Sequence, residues 1–412
     1  MKRKFAFIAT IGLAILFAVS CNSDDNDPDT EIVSGDETLP SVQVTQPAPY
    51  SPYYKLFVVN EGNFGMNNAT LDFLRFKDGN YVRGAFRQMN PNVAGGLGDT
   101  ANDAKVFLNS LWILMNNSGL VQVLNPVDET VLKDNSGRTI GNIQIPSPRR
   151  ICFDYYFGYA YVTSYDGAVY DGVDKKGSLY RISLSTLEVV DKIEVGYQPE
   201  GVCMCDSYIY VANSGGFHYA ATGEYDNTVT VISRSSFTKV QDIEVAPNLR
   251  EITSDGYDWI YVTGQGDFST EHSGIYKING HNNTVMDIPA LKDVRVTTFT
   301  ELVFNDGSAE IYIIGTDDEF DWDKYQKDFN FYKINMQSSY VEKTSLSGKG
   351  MSVLVNPYGM AVNGSTGEIY VCDALDYIGP GIVYGFTKDF TLSWQADAGA
   401  VCGHPVLYAP VY

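Results

Sequence analysis

The chain is short of the residues that carry most catalytic and cross-linking chemistry. It has 4 histidines, 6 cysteines and 4 tryptophans in 412 residues. No HExxH, GxSxG or phosphate-loop motif is present, and four histidines do not supply a His-rich metal cluster. The cysteines, Cys21, Cys152, Cys203, Cys205, Cys372 and Cys402, show neither zinc-finger spacing nor a disulfide-scaffold pattern. Cys203 and Cys205 would share one face of a strand, too close along one chain for a relaxed bridge. The five beyond Cys21 are therefore expected to be buried thiols. Positive charge is also scarce, with 29 Lys and Arg against 50 Asp and Glu and a formal charge of −21. Such a chain repels phosphate backbones, so nucleic acid is not an expected partner. No segment carries a convincing helical apolar period, which argues against helix bundles and α/β layers.

The one long apolar run lies at the start. Lys2, Arg3 and Lys4 precede Phe5 to Val19, which is too short for a membrane span of roughly twenty residues. It ends in Ala18-Val19-Ser20-Cys21, similar to the lipobox of bacterial lipoproteins, although Ala18 stands where Leu is usual. Residues 1–20 are read as a signal peptide and Cys21 as the lipidated residue. Asn22-Ser23-Asp24-Asp25-Asn26-Asp27-Pro28-Asp29 follows, and Pro40, Pro47, Pro49 and Pro52 come after it. This composition cannot bury enough apolar area to order itself, so residues 21–53 are read as a tether.

What the remainder has is a repeat. An aromatic anchor inside a β-branched run recurs at Phe57, Trp112, Tyr161, Tyr210, Tyr261, Tyr312 and Tyr370, about fifty residues apart. A second strand follows each copy, as in Thr228 to Ile232, and most alternate apolar and polar residues. Proline opens several units, at Pro148, Pro199, Pro247 and Pro357. Residues 54–412 are accordingly read as an all-β, seven-bladed β-propeller of four-stranded blades. The first copy lacks an opening strand, and His404 to Tyr412 resembles the missing piece. The C-terminal strand is expected to close the ring and remove its exposed edges.

In such blades the links from second to third strand lie on one face with the inter-blade links. Here they are long and carry Phe64, Tyr165, Phe217, Tyr219, Phe268, Trp322 and Tyr377. Rigid rings in loops suit binding surfaces, since they bury much area at low entropy cost. Arg149, Arg150, Arg250 and Arg295 belong to inter-blade positions on the same face and are candidates to answer an anionic group. The opposite hairpins, such as Asp206-Ser207, read as short and polar. Asn60, Glu61, Glu200 and Glu301 are available for an axial metal of the kind that propeller lactonases hold, but any propeller supplies such residues. The acidic run Asp317 to Asp323 lacks the Gly and distal Glu of a calcium loop. Neither catalytic residues, a metal nor a cofactor is expected, and the protein is read as a binder.

Phe57-Val58-Val59-Asn60-Glu61-Gly62-Asn63-Phe64-Gly65, followed by Asn68-Ala69-Thr70-Leu71-Asp72, resembles the opening of Bacteroidota surface lipoprotein propellers of the YncE-like, DUF5074 type. Members of the BtuG type bind cobalamin and cap a TonB-dependent transporter. The resemblance implies an outer-membrane, lipid-anchored protein facing the cell exterior. It also implies capture of vitamin B12 or a related corrinoid, and hand-off to such a transporter. Aromatic loops fit glycan binding in a polysaccharide uptake system equally well. A propeller hydrolase is the weaker alternative.

Overall fold

The computed structural model describes residues 42–43, 53–167, 175–267, 272–305, 307–317 and 328–410. Cys21, Phe268 and Trp322 lie outside the described residues, as do the remaining signal and tether residues before Val42.

Seven antiparallel sheets of four main strands form a ring. Blade 3 is representative, with Pro148–Asp154 innermost, then Tyr159–Ser164, Lys176–Ser183 and Glu188–Tyr197. Blade 1 is made from both ends of the chain. Its inner strand, Cys402–Tyr408, pairs with Lys55–Asn60, and Val42–Gln43 adds to its outer edge. The closing strand expected from the sequence is therefore present, beginning at Cys402. Its buried residues are Cys402, Gly403 and Tyr408, whereas Val406 and Leu407 are only half-buried because they border the axial cavity.

The core is distributed between blades. Seven apolar clusters occupy the seven interfaces, for example Phe57, Leu71 and Phe73 of blade 1 against Leu111, Ile113 and Met115 of blade 2. Every repeat anchor is buried. The tyrosine hydroxyl explains part of the choice of residue. Tyr210 donates to the Gly280 carbonyl at 3.2 Å and Tyr261 to the Met336 carbonyl at 2.7 Å, each pinning a hairpin of the next blade. All five described cysteines are buried and free. Two short helices, Ala85–Met89 and Gly216–Thr222, depart from the all-strand expectation. They fill connections and are too short to show a period.

The hairpin face also differs from its reading as polar. Tyr155 and Tyr156 are 76% and 83% exposed, and Tyr257 and Phe304 are 75% and 65% exposed. Tyr155, Tyr156 and Tyr257 sit at tips joining first and second strands, and Phe304 lies in the short strand Val303–Asn305, where it borders the axial cavity.

Candidate functional site

The inner strands surround a cavity of about 610 Å³ along the ring axis. Their entry is built the same way in each blade. In six of the seven, the residue just before the inner strand has a left-handed backbone: Thr100, Ser147, Gln198, Asn248, Asp293 and Val401. This turn takes the chain from the rim to the axis. A register shift follows in all seven inner pairings. Arg149 and Arg150 lie opposite Thr163 alone, Glu200 and Gly201 opposite Ala212, and Arg250 and Glu251 opposite Thr263. A bulge leaves its extra residue out of the ladder and re-aims it. The displaced N–H groups find side chains instead. Thr163 accepts from Arg150 N at 3.0 Å, and Thr263 accepts from Glu251 N at 3.0 Å. The same displacement frees Asn102, Thr297, Tyr358 and Gly403 in the other blades. Close approach of two inner strands explains the glycine at 359, where a Cβ would lie 1.6 Å from the Gly403 carbonyl oxygen.

These bulges carry a charged network. Arg149 holds Glu200 through two guanidinium nitrogens at 3.0–3.1 Å, and Tyr165 donates its hydroxyl to the same carboxylate. Burial acts against ionised Glu200, but Arg149, Arg250 and Arg150 together hold its pKa below the ordinary value. Arg150 grips Glu251 at 2.6 Å. Burial again opposes the charge, yet Arg150, with Arg250 and Lys105, brings the Glu251 pKa to about 2. Lys105 pairs with Glu301 lower in the channel. On the other side of the axis, Glu61 accepts from Tyr358 at 2.9 Å and lies 3.0 Å from His404 Nε2. Burial, then the Glu61 charge, pushes the Tyr358 phenol well above its ordinary value, so it stays a proton donor. Among the described residues no group of three His, Cys, Asp or Glu is arranged to hold a metal ion.

The long-loop face surrounds the upper end of this channel. Tyr165 is buried there, its ring 4.8 Å from the Arg149 guanidinium carbon and 6.0 Å from Phe217. It supports the Arg149–Glu200 pair and has little surface left for a ligand. Tyr377 is half-buried and meets Tyr358 edge-on at 5.5 Å. Tyr219 stacks on Tyr225 at 4.2 Å, and His218 on Tyr197 at 3.9 Å. Phe64 is half-buried in its loop, beside the exposed Met66. Exposed Ile378 is tied to that loop by Asn63, which donates to its carbonyl at 3.1 Å. The four arginines lie at the start of the inner strands, and Arg150, Arg250 and Arg295 border the axial cavity. Asn60, considered beside Glu61 for an axial metal, is buried and donates to Thr70 and Asp72. Tyr358, Glu251, Lys105 and His404 were not singled out from sequence, although Tyr358 directly follows one of the unit-opening prolines.

A ring of seven blades around a charged axial channel defines a seven-bladed β-propeller. The chain belongs to the family described as Domain of unknown function (DUF5074), whose profile matches residues 54–385. No curated protein matches it. Similar solved structures include a functionally unknown protein from Desulfotomaculum acetoxidans, at 12% identity and TM-score 0.52, covering 86% of this chain and 99% of that one. A mutant of Synechocystis ACO is similar at 11% identity and TM-score 0.52, covering 90% and 95%. Kuenenia stuttgartiensis hydrazine synthase is similar at 15% identity and TM-score 0.50, covering 70% and 77%. At these identities the likeness is one of fold.

Proposed function

We propose that this protein is a cell-surface binder that captures cobalamin or a related corrinoid on its long-loop face. In this reading it passes the ligand to a TonB-dependent outer-membrane transporter while held by lipid on Cys21. The observation that carries the reading is the composition of the channel mouth. Half-buried Tyr358 and Tyr377 and the guanidiniums of Arg150 and Arg250 border one cavity, and the exposed Ile378 follows Tyr377 in its loop. A corrinoid is a broad ring fringed by amides and, in cobalamin, carries one phosphate. Ring faces and apolar tips suit its edges, and the phenols and arginines suit its amides and phosphate. Glu200 and Glu251 are each held in an ion pair, which favours a preorganised binding surface over proton-transfer chemistry.

The test is titration of cyanocobalamin into the purified protein, followed by calorimetry and corrinoid absorbance. Tyr377→Ala is expected to weaken binding at least tenfold if that ring is an anchor, a loss of about 1.4 kcal/mol or more. Absence of heat and of any spectral change with the parent protein overturns the corrinoid reading. Retardation in a polysaccharide gel would then favour the glycan alternative.

A further inference from the structure

The axial channel is polar at one end and apolar at the other. Each inner strand begins at the long-loop face and runs toward the short hairpins, and its composition changes along the way. Arg150 is followed by Ile151 and Phe153, Glu251 by Ile252, and His404 by Val406 and Leu407. The cavity wall follows this order. Its upper part contains Arg150, Arg250 and Arg295, while Phe153, Val303, Phe304, Val406 and Leu407 line the part toward the hairpins. Four cations, Lys105, Arg150, Arg250 and Arg295, border the cavity against three carboxylates, Asp103, Glu251 and Glu301. Exposed Phe304 borders the cavity on the hairpin side.

Phe153, Val303, Val406 and Leu407 each pack one side on an inter-blade cluster and, half-buried, keep another side on the axial space. Corrinoid capture at the long-loop face does not use them. Their arrangement matches a molecule with an anionic head and an apolar tail. We propose that the channel binds a single-chain amphiphile, a medium-chain carboxylate, with its head among Arg150, Arg250 and Arg295 and its tail toward Phe304. The carboxylate gains charge-assisted hydrogen bonds in a confined site, and the tail leaves water along the lower wall. The cavity volume of about 610 Å³ falls within the range of small-molecule sites.

The experiment is calorimetric titration of octanoate, decanoate and dodecanoate, below their micelle concentrations, into the purified protein. One equivalent should bind, with affinity rising about fourfold per added methylene. Dodecanol should bind at least tenfold more weakly than dodecanoate. Arg250→Gln and Arg295→Gln should each weaken dodecanoate binding about tenfold. Because an axial arginine variant can fail to fold, Phe304→Asp provides a second test at an exposed position. It should weaken dodecanoate at least tenfold and leave the cyanocobalamin titration unchanged. Absence of saturable binding, affinity indifferent to chain length or head charge, or full affinity in Phe304→Asp overturns the proposal. Arg150 and Arg250 are shared with the corrinoid reading, so dodecanoate is titrated without corrinoid present, and its binding or failure to bind is read apart from the cyanocobalamin titration.

Discussion

The pair Arg149–Glu200 offers a strict test of the channel electrostatics. Its side chains are 11% and 2% exposed, and two arms of the guanidinium engage the carboxylate. Arg149→Met leaves Glu200 buried with Tyr165 as its remaining hydrogen-bonded partner in that network and with Arg250 and Arg150 nearby. Breaking a buried pair from one side costs about 3–5 kcal/mol. The two neighbouring arginines soften that penalty, so the lower end, about 3 kcal/mol, is expected. In a ring of this size each kcal/mol moves the melting midpoint by about 1–2 °C, giving a drop of several degrees. Glu200→Gln alone should cost a comparable amount, because Arg149 loses its counter-charge. The double variant should be less destabilised than the sum of the singles, since neither charge is then left alone. Acid supplies a second readout. The Glu200 pKa is lowered in the folded state, so its contribution is present above the ordinary glutamate value of about 4.3. It is lost as pH falls through the lower folded value. The parent should therefore lose stability in that acid window, and Glu200→Gln should lose less. Thermal melts of the four proteins from neutral pH down to about pH 3 measure both effects. Strictly additive penalties, or an acid limb unchanged in Glu200→Gln, would refute the coupling.

Two further expectations concern the ends of the chain. Deleting residues 402–412 removes the inner strand of blade 1 and exposes Leu56, Phe57 and Val58, all fully buried beneath it. At about 1.5–3 kcal/mol per large side chain, that loss should abolish a cooperative melt or lower its midpoint sharply, and gel filtration should show aggregation. A truncated protein that melts like the parent would count against closure by this strand. Cys21→Ala should release the protein from membranes or strand its precursor, read by fractionation and surface proteolysis. Unchanged membrane association would remove Cys21 as the anchor.

The ring was legible in the sequence because its signals are local and repeated. A buried aromatic such as Tyr210 recurs where each second strand packs on the next blade, and alternation marks the strands around it. Closure was legible too, since Lys55–Asn60 begins a sheet that lacks an inner neighbour until Cys402–Tyr408 supplies one. The channel was only half legible. Arg149 and Arg150 were placed on the correct side by topology, but strict alternation would send neighbouring residues to opposite faces. The register shift that turns both out of the ladder leaves no compositional mark. Tyr165 was singled out as a loop ring because a loop aromatic carries no sign of a buried partner such as Glu200. The Tyr155-Tyr156-Phe157 tip escaped notice because it reads as the continuation of a strand.

The recurring bulge has a consequence for how such rings diversify. The side chains that hold blade to blade, such as Tyr161 and Val211, lie in regular pairing. Arg149, Arg150, Glu200, Arg250 and Glu251, at the upper end of the axis, sit on residues the ladder has already released. Structural and chemical roles are thus assigned to different positions within the same unit. Arg, Glu, Asn, Thr, Tyr and Gly occupy equivalent seats around one axis in this chain, on a shared backbone plan. Where ion pairs join seats of different blades, as in Arg149–Glu200 and Arg150–Glu251, the axis is retuned by paired changes, while the apolar interfaces that keep the ring shut can stay as they are.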